Sequence, residues 1–165
     1  MAVEPFRVEG LAGVLKTLQE LPPEIVSKAG GPVKFGLKAA MKMMAAEVKQ
    51  NLQGIINEPN KGGQDESTGL LMANIKDGRA RLKGKNGEAH RVYVRKKSYG
   101  DGKKASTPQV ARLLEYGTER RKPMPFIRPA FDAKKGEAVR IFETEIKKRI
   151  AGIVKKLSAQ NRVPK

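Results

Sequence analysis

Glu115-Tyr116-Gly117-Thr118, followed after a short basic loop by Pro125-Phe126-Ile127-Arg128-Pro129-Ala130, is the stretch that decides how this chain folds. It connects the semi-apolar segment 110–114 to a long amphipathic segment that begins at Ala130, through one glycine and three prolines. No catalytic motif combines residues in this way. The stretch therefore predicts a connection that positions two parts of the chain.

The glycine and the prolines each predict a specific backbone geometry. Gly117 is expected to supply a backbone angle that a side chain would forbid. Pro125 and Pro129 bias the residues before them, Met124 and Arg128, toward extended conformations. Pro129 also suits the first position of a helix, where its missing N–H costs nothing. We therefore expect a stiff connection that holds the last helix at a set angle.

The spacing of apolar residues predicts helices on both sides of this connection. Residues 33–56 carry a stripe with steps of three and four, which is typical of a core-facing helix of about six turns. A similar stripe predicts a C-terminal helix over residues 130–157, followed by a flexible tail over 158–165. Residues 11–20 predict a shorter amphipathic helix. Residues 109–116 fit either a helix or a strand, because so short a window does not distinguish the two periods.

An antiparallel β-hairpin is predicted over residues 73–97. Two turn dipeptides, Asp77-Gly78 and Asn86-Gly87, lie in this segment, and the second is the stronger hairpin signal. Apolar and basic residues alternate on both sides of it, which predicts one apolar face and one basic face. The basic face is expected to consist of Arg79, Arg81, Lys83, Arg91 and Arg95. With the helices, this hairpin predicts an α+β fold in which an antiparallel sheet is flanked by two long helices.

Composition bounds the domain organisation and excludes several classes of function. A chain of 165 residues can bury a substantial core, and we expect a single domain over residues 1–157. The absence of cysteine excludes disulfides and thiolate metal sites, and no apolar run is long enough to cross a membrane. His90 is the only histidine, and no nucleophile-elbow or phosphate-loop motif is present. Glu115 and Glu119 lie among arginines, which favours ion pairing over an acid/base pair. We expect neither an enzyme nor a bound cofactor or metal.

The net charge of +17 is distributed unevenly along the chain. Residues 1–60 carry seven basic and six acidic side chains, whereas residues 76–104 carry eleven and three, and residues 134–156 carry eight and three. Such a concentration of positive charge attracts a polyanion or an acidic protein surface. The sequence lacks the marks of a helix-turn-helix and of an RNA-recognition sheet. Any contact with nucleic acid is therefore expected to involve backbone phosphate without sequence choice.

Three segments, in this order, carry a resemblance to a known family. They are Ser67-Thr68-Gly69-Leu70-Leu71-Met72-Ala73-Asn74-Ile75, Val110-Ala111-Arg112-Leu113-Leu114-Glu115-Tyr116-Gly117-Thr118 and Pro125-Phe126-Ile127-Arg128-Pro129-Ala130-Phe131. Over about residues 3–157 the chain resembles the tail-completion or head–tail joining proteins of long-tailed bacteriophages, also described as neck proteins or minor tail components. The paired second and third segments are the specific part of this resemblance.

The resemblance implies a structural virion protein of the neck or tail, made in the cytoplasm of the host cell. It implies a ring, with a hexamer as the expected form, through whose lumen DNA passes. A head-completion or connector protein is expected on one side, and a tail terminator or tail tube on the other. A head-to-tail ring contact needs two different patches on each subunit. The expected first patch comprises Glu115, Tyr116, Gly117, Thr118, Pro125, Phe126, Ile127, Arg128 and Pro129.

The sequence leaves several alternatives open. Phe126 and Ile127 could anchor the connection on the sheet or on a neighbouring subunit. Alternatively, the connection could serve only as a rigid link within the domain. The second ring patch could be the basic hairpin face or the polar loop over residues 57–69. The hairpin face could contact DNA phosphate or an acidic partner, and we favour the partner because a strongly basic channel would slow departing DNA. A free-standing, sequence-independent nucleic-acid-binding protein is the alternative function.

Overall fold

A computed structural model of the chain describes residues 31–57, 67–81, 88–100 and 105–160. Within these ranges the elements are helices α1 (Gly31–Asn57) and α2 (Leu70–Ala73), strands β1 (Ile75–Ala80) and β2 (Ala89–Val94), and helices α3 (Thr107–Tyr116) and α4 (Ile127–Gln160). The fold is α+β: the two strands form an antiparallel hairpin flanked by the long helices α1 and α4, which confirms the predicted class. The predicted helix over residues 11–20 and most of the 57–69 loop lie outside the described residues. No helix in the described ranges is both long enough and apolar enough to span a membrane.

The long helices α1 and α4 run antiparallel and in close contact. The side chain of Asn51, near the end of α1, donates to the carbonyl oxygen of Phe126 at the start of α4, at 3.2 Å. Gly36, near the start of α1, faces Phe142, and a Cβ at Gly36 would lie 2.8 Å from Cδ2 of that ring. The helices approach this closely because glycine has no side chain. Between these two points lies a cluster of buried residues, Ala40, Met44 and Ala138.

The main core lies where α1, the hairpin, α3 and α4 meet. Phe126 and Ala130, at the start of α4, have no exposed surface. They belong to one cluster with buried residues of the other elements, Val48, Leu52, Leu71, Ile75 and Ala111. Complete burial of a phenylalanine side chain contributes about 1.5–3 kcal/mol through the hydrophobic effect. Phe126 therefore anchors the connection inside its own chain, on the sheet and helices, rather than on a neighbouring subunit.

The register of the hairpin places its arginines on two faces rather than one. Arg79 pairs with His90, and Gly78 pairs with Arg91. Residues directly opposite each other in an antiparallel pair share a face. Arg79 therefore lies on the face of Ile75, which is buried against α1, whereas Arg91 lies on the opposite, outer face. The predicted single basic face is wrong, because the pairing joins odd-numbered residues of β1 to even-numbered residues of β2.

The Asp77-Gly78 dipeptide does not form a turn, contrary to the sequence prediction. Both residues lie inside β1, and Gly78 adjoins the ring of Tyr93. A Cβ at Gly78 would lie 3.1 Å from Cε1 of Tyr93, which is tighter than an ordinary contact. The close approach of the Tyr93 ring explains the glycine at this position, because glycine inside a strand often marks a site where another group comes close to the backbone. The Asn86-Gly87 dipeptide falls between the strands, outside the described residues.

The boundaries of α3 and α4 differ from the predicted ones in informative ways. Residues 107–116 form a helix, which settles the choice that the sequence left open. α4 begins at Ile127 rather than at Ala130, so Arg128 is helical rather than extended and Pro129 is not at the first position. The earlier start is possible because the first N–H groups of α4 are bound by the side chain of Glu115. α4 also continues to Gln160, so the predicted tail is wrong for residues 158–160, and residues 161–165 lie outside the described part.

Candidate interaction surface at the α3–α4 corner

Side chains fix α3 to the hairpin at its first turn. Ser106 precedes the helix, and its backbone N–H donates to Oε1 of Gln109 at 2.8 Å as part of a capping box. Thr107 is fully buried. Its hydroxyl donates to the carbonyl oxygen of Arg95 at 2.6 Å and accepts from the N–H of Lys97 at 2.9 Å. These bonds join the start of α3 to the segment that follows β2, so the hairpin positions the helix.

Glu115, near the end of α3, caps the start of α4. Its carboxylate accepts hydrogen bonds from the backbone N–H groups of Phe126 at 2.9 Å, Ile127 at 3.0 Å and Arg128 at 3.0 Å. The first N–H groups of a helix have no partner within that helix, and negative charge complements the helix dipole there. Pro129 has no N–H. Glu115 therefore leaves residues 126–129 without a free backbone donor.

The surroundings of Glu115 keep its carboxylate charged. Burial acts to raise its pKa, because a charged group loses hydration inside the protein. The bonds from three backbone N–H groups and from the Arg128 side chain outweigh burial, so the pKa of Glu115 is held below its ordinary value. The predicted ion pairing of Glu115 with an arginine is confirmed: Nε of Arg128 lies 3.1 Å from Oε1.

Arg128 links the buried carboxylate of Glu115 to the protein surface. Besides the Nε contact, its Nη2 donates to the carbonyl oxygen of Glu115 at 3.0 Å. The guanidinium carbon lies 5.0 Å from the centre of the Tyr116 ring, within the range of a cation–π contact. The Arg128 side chain is 55% exposed, against 4% for the side chain of Glu115. The guanidinium therefore remains accessible to a partner while its position is fixed from within.

The loop between α3 and α4 folds back on the end of α3. Gly117 has φ 75° and ψ −174°, a combination that is essentially confined to glycine. A Cβ at Gly117 would lie 2.8 Å from the carbonyl oxygen of Arg121. The backbones of Thr118 and Arg121 bond to each other, and the N–H of Met124 donates to the carbonyl oxygen of Leu114 at 2.8 Å. The predicted backbone role of Gly117 is confirmed.

The residues predicted to form a subunit contact divide into buried supports and an exposed surface. Glu115 and Phe126 are buried in the chain and hold the corner from inside. Gly117 is half-buried, and the exposed members are Tyr116, Thr118, Pro125, Ile127, Arg128 and Pro129. Tyr116 is 66% exposed and Ile127 is 37% exposed. Large apolar side chains exposed side by side are typical of protein contact surfaces.

A shallow groove of about 310 Å³ lies between α3, the start of α4 and the end of β2. Apolar side chains form much of its lining, from Val94 on the strand to Tyr116 and Ile127. Its cationic residues are Arg112 and Arg128. Arg112 was not among the predicted site residues. It lies four residues before Tyr116, and this spacing places both on one helix face once the segment is known to be helical.

Arg79, which was predicted to belong to the basic face, is paired rather than free. Arg79 forms an ion pair with Glu88 across the hairpin, and the side chain of Glu88 is largely buried. Arg81 is exposed just beyond β1. Lys83 lies outside the described residues. Glu88 therefore neutralises part of the predicted positive charge, and this pairing was not predicted from the sequence.

The outer face of the hairpin carries a different cationic set, Lys76, Arg91 and Arg95, which we call the outer basic face. Lys76 pairs with Tyr93, and the Arg91 guanidinium carbon lies 5.3 Å from the centre of the Tyr93 ring. Arg95 is exposed and continues the alternation of β2, because its N–H donates to the carbonyl oxygen of Asn74 at 2.8 Å. Lys76 was not among the predicted basic residues, because the face on which it lies depends on the strand register.

Compared with known proteins, the chain matches no family model, no curated protein and no solved structure.

Proposed function

We propose that this protein is a structural virion component that completes the tail of a long-tailed bacteriophage and joins it to the head connector. Copies form a ring, with six as the expected number, and DNA passes through its lumen. A head-completion or connector protein lies on one side of the ring, and a tail terminator or the tail tube lies on the other. The site of action is the neck or tail of the particle.

The observation that carries this proposal is the bond between the two specific motifs of the resemblance. Glu115 belongs to the first motif, and the N–H groups of residues 126–128 belong to the second. The two motifs thus act as one structural unit, in which an acidic residue at the end of one helix holds the start of the next. That unit supports a positioning role, because it sets the direction of α4 relative to α3.

The distribution of exposed groups supports assembly into a ring. A closed ring of identical subunits needs two unlike patches at fixed positions on each copy. The α3–α4 corner offers its exposed residues outside the groove, Thr118, Pro125 and Pro129, and the hairpin offers the outer basic face. The contacts of α1 with the hairpin and with α4 hold these elements in one body.

Imaging of the purified full-length protein tests the assembly directly. We expect closed rings with a central hole in negative stain, and a matching mass in solution at the same concentration. Pro129→Asp places a charge at the exposed corner, outside the residues that line the groove, and is expected to prevent ring formation. Val154→Asp, at another exposed apolar position on α4, is the matched control and should leave the rings intact.

The virion role is tested in infected cells. A phage with an amber codon in this gene is expected to accumulate filled heads and separate tails in a non-suppressing host. Normally joined, infectious particles from that host would contradict the proposed function. Complementation by the wild-type chain and by Val154→Asp, but not by Pro129→Asp, would connect the particle defect to the ring contact.

The second candidate function is sequence-independent binding of nucleic acid, which the outer basic face and the net charge of +17 favour. Titration of duplex DNA at increasing salt separates the two functions. Tight binding whose logarithm falls steeply with the logarithm of salt concentration supports the nucleic-acid-binding protein. Weak binding by a protein that assembles into rings supports the virion component.

Charge reversal tests which partner the outer basic face contacts in the particle. In the Lys76→Glu, Arg91→Glu, Arg95→Glu triple variant, loss of head–tail joining is expected if this face docks on an acidic neighbouring protein. Arg140→Glu, at an exposed position on α4, is the single-charge control. Normal joining with altered DNA ejection would instead assign the face to DNA in the lumen.

A further inference from the structure

We propose that the groove at the α3–α4 corner binds an acidic segment of a different protein. One apolar side chain of that segment enters the groove beside Tyr116 and Ile127, and its carboxylates pair with Arg112 and Arg128. The inference deepens the proposed function by naming the chemistry of one neighbour. It rests on that function only for the identity of the partner as a virion protein.

The apolar part of the argument comes from the exposed rim. Tyr116 and Ile127, which line the groove, are 66% and 37% exposed, and Leu113 is 46% exposed one helical turn before Tyr116. Three large apolar groups at one corner exceed the scattered single residues of an ordinary surface. At about 310 Å³ the groove is at the lower end of the range for small-ligand pockets, about 300–1,000 Å³. Its size and openness suit one protruding side chain of a protein.

The positive charges at the corner favour binding of an acidic segment. Glu115 is the only carboxylate among the groove-lining residues, and its oxygens are occupied by three backbone N–H groups and by Arg128. Arg112 and the exposed part of Arg128 therefore present positive charge without a free negative counterpart in the groove. The adjoining loop adds exposed cations at residues 120–122 against the single acidic Glu119. An acidic segment complements this field.

The same charges disfavour a second copy of this chain as the occupant. Each copy carries 34 basic and 17 acidic side chains, so a second copy offers few carboxylates to pair with Arg112 and Arg128 in the groove. On this account the subunits of the ring meet through other parts of the corner, and the groove is left for a partner of opposite charge.

The groove is already formed before a partner arrives. Its walls belong to α3, α4 and β2. Hydrogen bonds of Glu115 join α3 to the start of α4, and the hydrogen bond of Thr107 joins α3 to Arg95, directly after β2. A preformed site loses little conformational entropy on binding, which favours affinity from a small contact.

Fluorescence gives a direct measurement of binding, because the chain contains no tryptophan. Tyr116→Trp places a single emitter at the groove rim and keeps an aromatic ring there. The probe is a short synthetic peptide with one central leucine flanked by glutamates. Two matched peptides replace the glutamates by glutamines or the leucine by alanine. Anisotropy of the fluorescein-labelled peptides measures binding to the unmodified protein in parallel.

We expect saturable binding of the acidic leucine peptide, and binding at least about tenfold weaker for each matched peptide. Arg112→Glu should weaken binding of the acidic peptide by at least about tenfold, with circular dichroism confirming that the variant is folded. Arg140→Glu, outside the groove, should leave it unchanged. Equal binding of the glutamine peptide, no effect of Arg112→Glu, or no binding of the acidic peptide overturns the inference. A tryptophan signal that changes with protein concentration alone also overturns it, by assigning the groove to a second copy.

The peptide-binding test and the test of the virion role can fail independently of each other. Rings and normal neck assembly without peptide binding contradict only the groove inference. Peptide binding by a protein whose loss leaves virions intact contradicts only the virion role.

Discussion

Oε1 of Glu115 accepts two hydrogen bonds from Arg128, one from its backbone N–H at 3.0 Å and one from its side-chain Nε at 3.1 Å. One carboxylate thus connects the end of α3 to the start of α4. Because Glu115 is buried and Arg128 is largely exposed, the pair also joins the core to the surface groove. Stability, the angle between the two helices and the proposed binding site should therefore respond together when Glu115 is changed.

Replacing Glu115 is expected to destabilise the fold by an amount that depends on how many acceptors remain. Glu115→Ala leaves one buried and two partly buried N–H groups, those of residues 126–128, without partners, and should cost about 2–4 kcal/mol. Glu115→Gln keeps one acceptor oxygen and should cost about 1–2 kcal/mol. Urea unfolding followed by circular dichroism measures both changes. Glu119→Ala, at an exposed position in the adjoining loop, is the control, and equal effects at the two positions would contradict the capping role.

The same carboxylate predicts how stability depends on pH. The folded-state pKa of Glu115 lies below the unfolded value, which is about 4.3 for a glutamate. A group with a lowered folded-state pKa stabilises the fold fully above its unfolded pKa, and this stabilisation is lost as pH falls through the folded-state pKa. The stability difference between wild type and Glu115→Gln should therefore be constant near neutrality and shrink below about pH 4. Urea unfolding of both proteins across this range checks it, and a difference independent of pH would show that the charge contributes nothing.

The two long helices and the hairpin were predictable because they depend on local pattern. α3 was not, because residues 109–116 fit both the helical and the strand period. The apolar stripe of α1, the alternation that signals the hairpin and the backbone demand at Gly117 are all visible in short windows of sequence. The face on which Arg79 lies was not predictable. It depends on which residue of β2 stands opposite, and a shift by one residue would reverse it.

The start of α4 was missed for a related reason. Pro129 is a local signal for the first helical position, but a carboxylate from another helix satisfies the N–H groups before it and moves the start to Ile127. Only the folded chain brings residue 115 to that position. The division of the predicted contact residues into buried Glu115 and Phe126 and exposed Tyr116 and Ile127 has the same origin.

Gly117 should tolerate no side chain. Gly117→Ala places a Cβ 2.8 Å from the carbonyl oxygen of Arg121 and 2.9 Å from the nitrogen of Pro123, in a backbone conformation that alanine disfavours. We expect destabilisation of about 2–3 kcal/mol, measured by thermal unfolding. Gly136→Ala is the control, because a Cβ there meets no atom within 4 Å and alanine is the better helix former, so it should stabilise the protein by about 0.5–1 kcal/mol.

Substitution of Gly36 by alanine tests how closely α1 and α4 approach each other. Gly36→Ala gains helix propensity, but its Cβ would lie 2.8 Å from Cδ2 and 3.0 Å from the carbonyl oxygen of Phe142, so one helix must shift. We expect net destabilisation of about 1–3 kcal/mol, as is typical of overpacking. Gly54→Ala in the same helix meets no atom within 4 Å, and should stabilise by about 0.5–1 kcal/mol.

A double-mutant cycle assigns the cost of Gly36→Ala to the ring. Truncation by Phe142→Ala removes the shortest of the three close contacts and leaves those with the carbonyl oxygen of Phe142 and with Cγ1 of Ile146. Gly36→Ala should therefore cost less in the Phe142→Ala background than in the wild type, with a coupling energy of about 0.5–2 kcal/mol. Additive effects would mean that the carbonyl oxygen of Phe142 or the side chain of Ile146, and not the ring, sets the distance between the helices. Stabilisation by Gly36→Ala in both backgrounds would contradict the close approach itself.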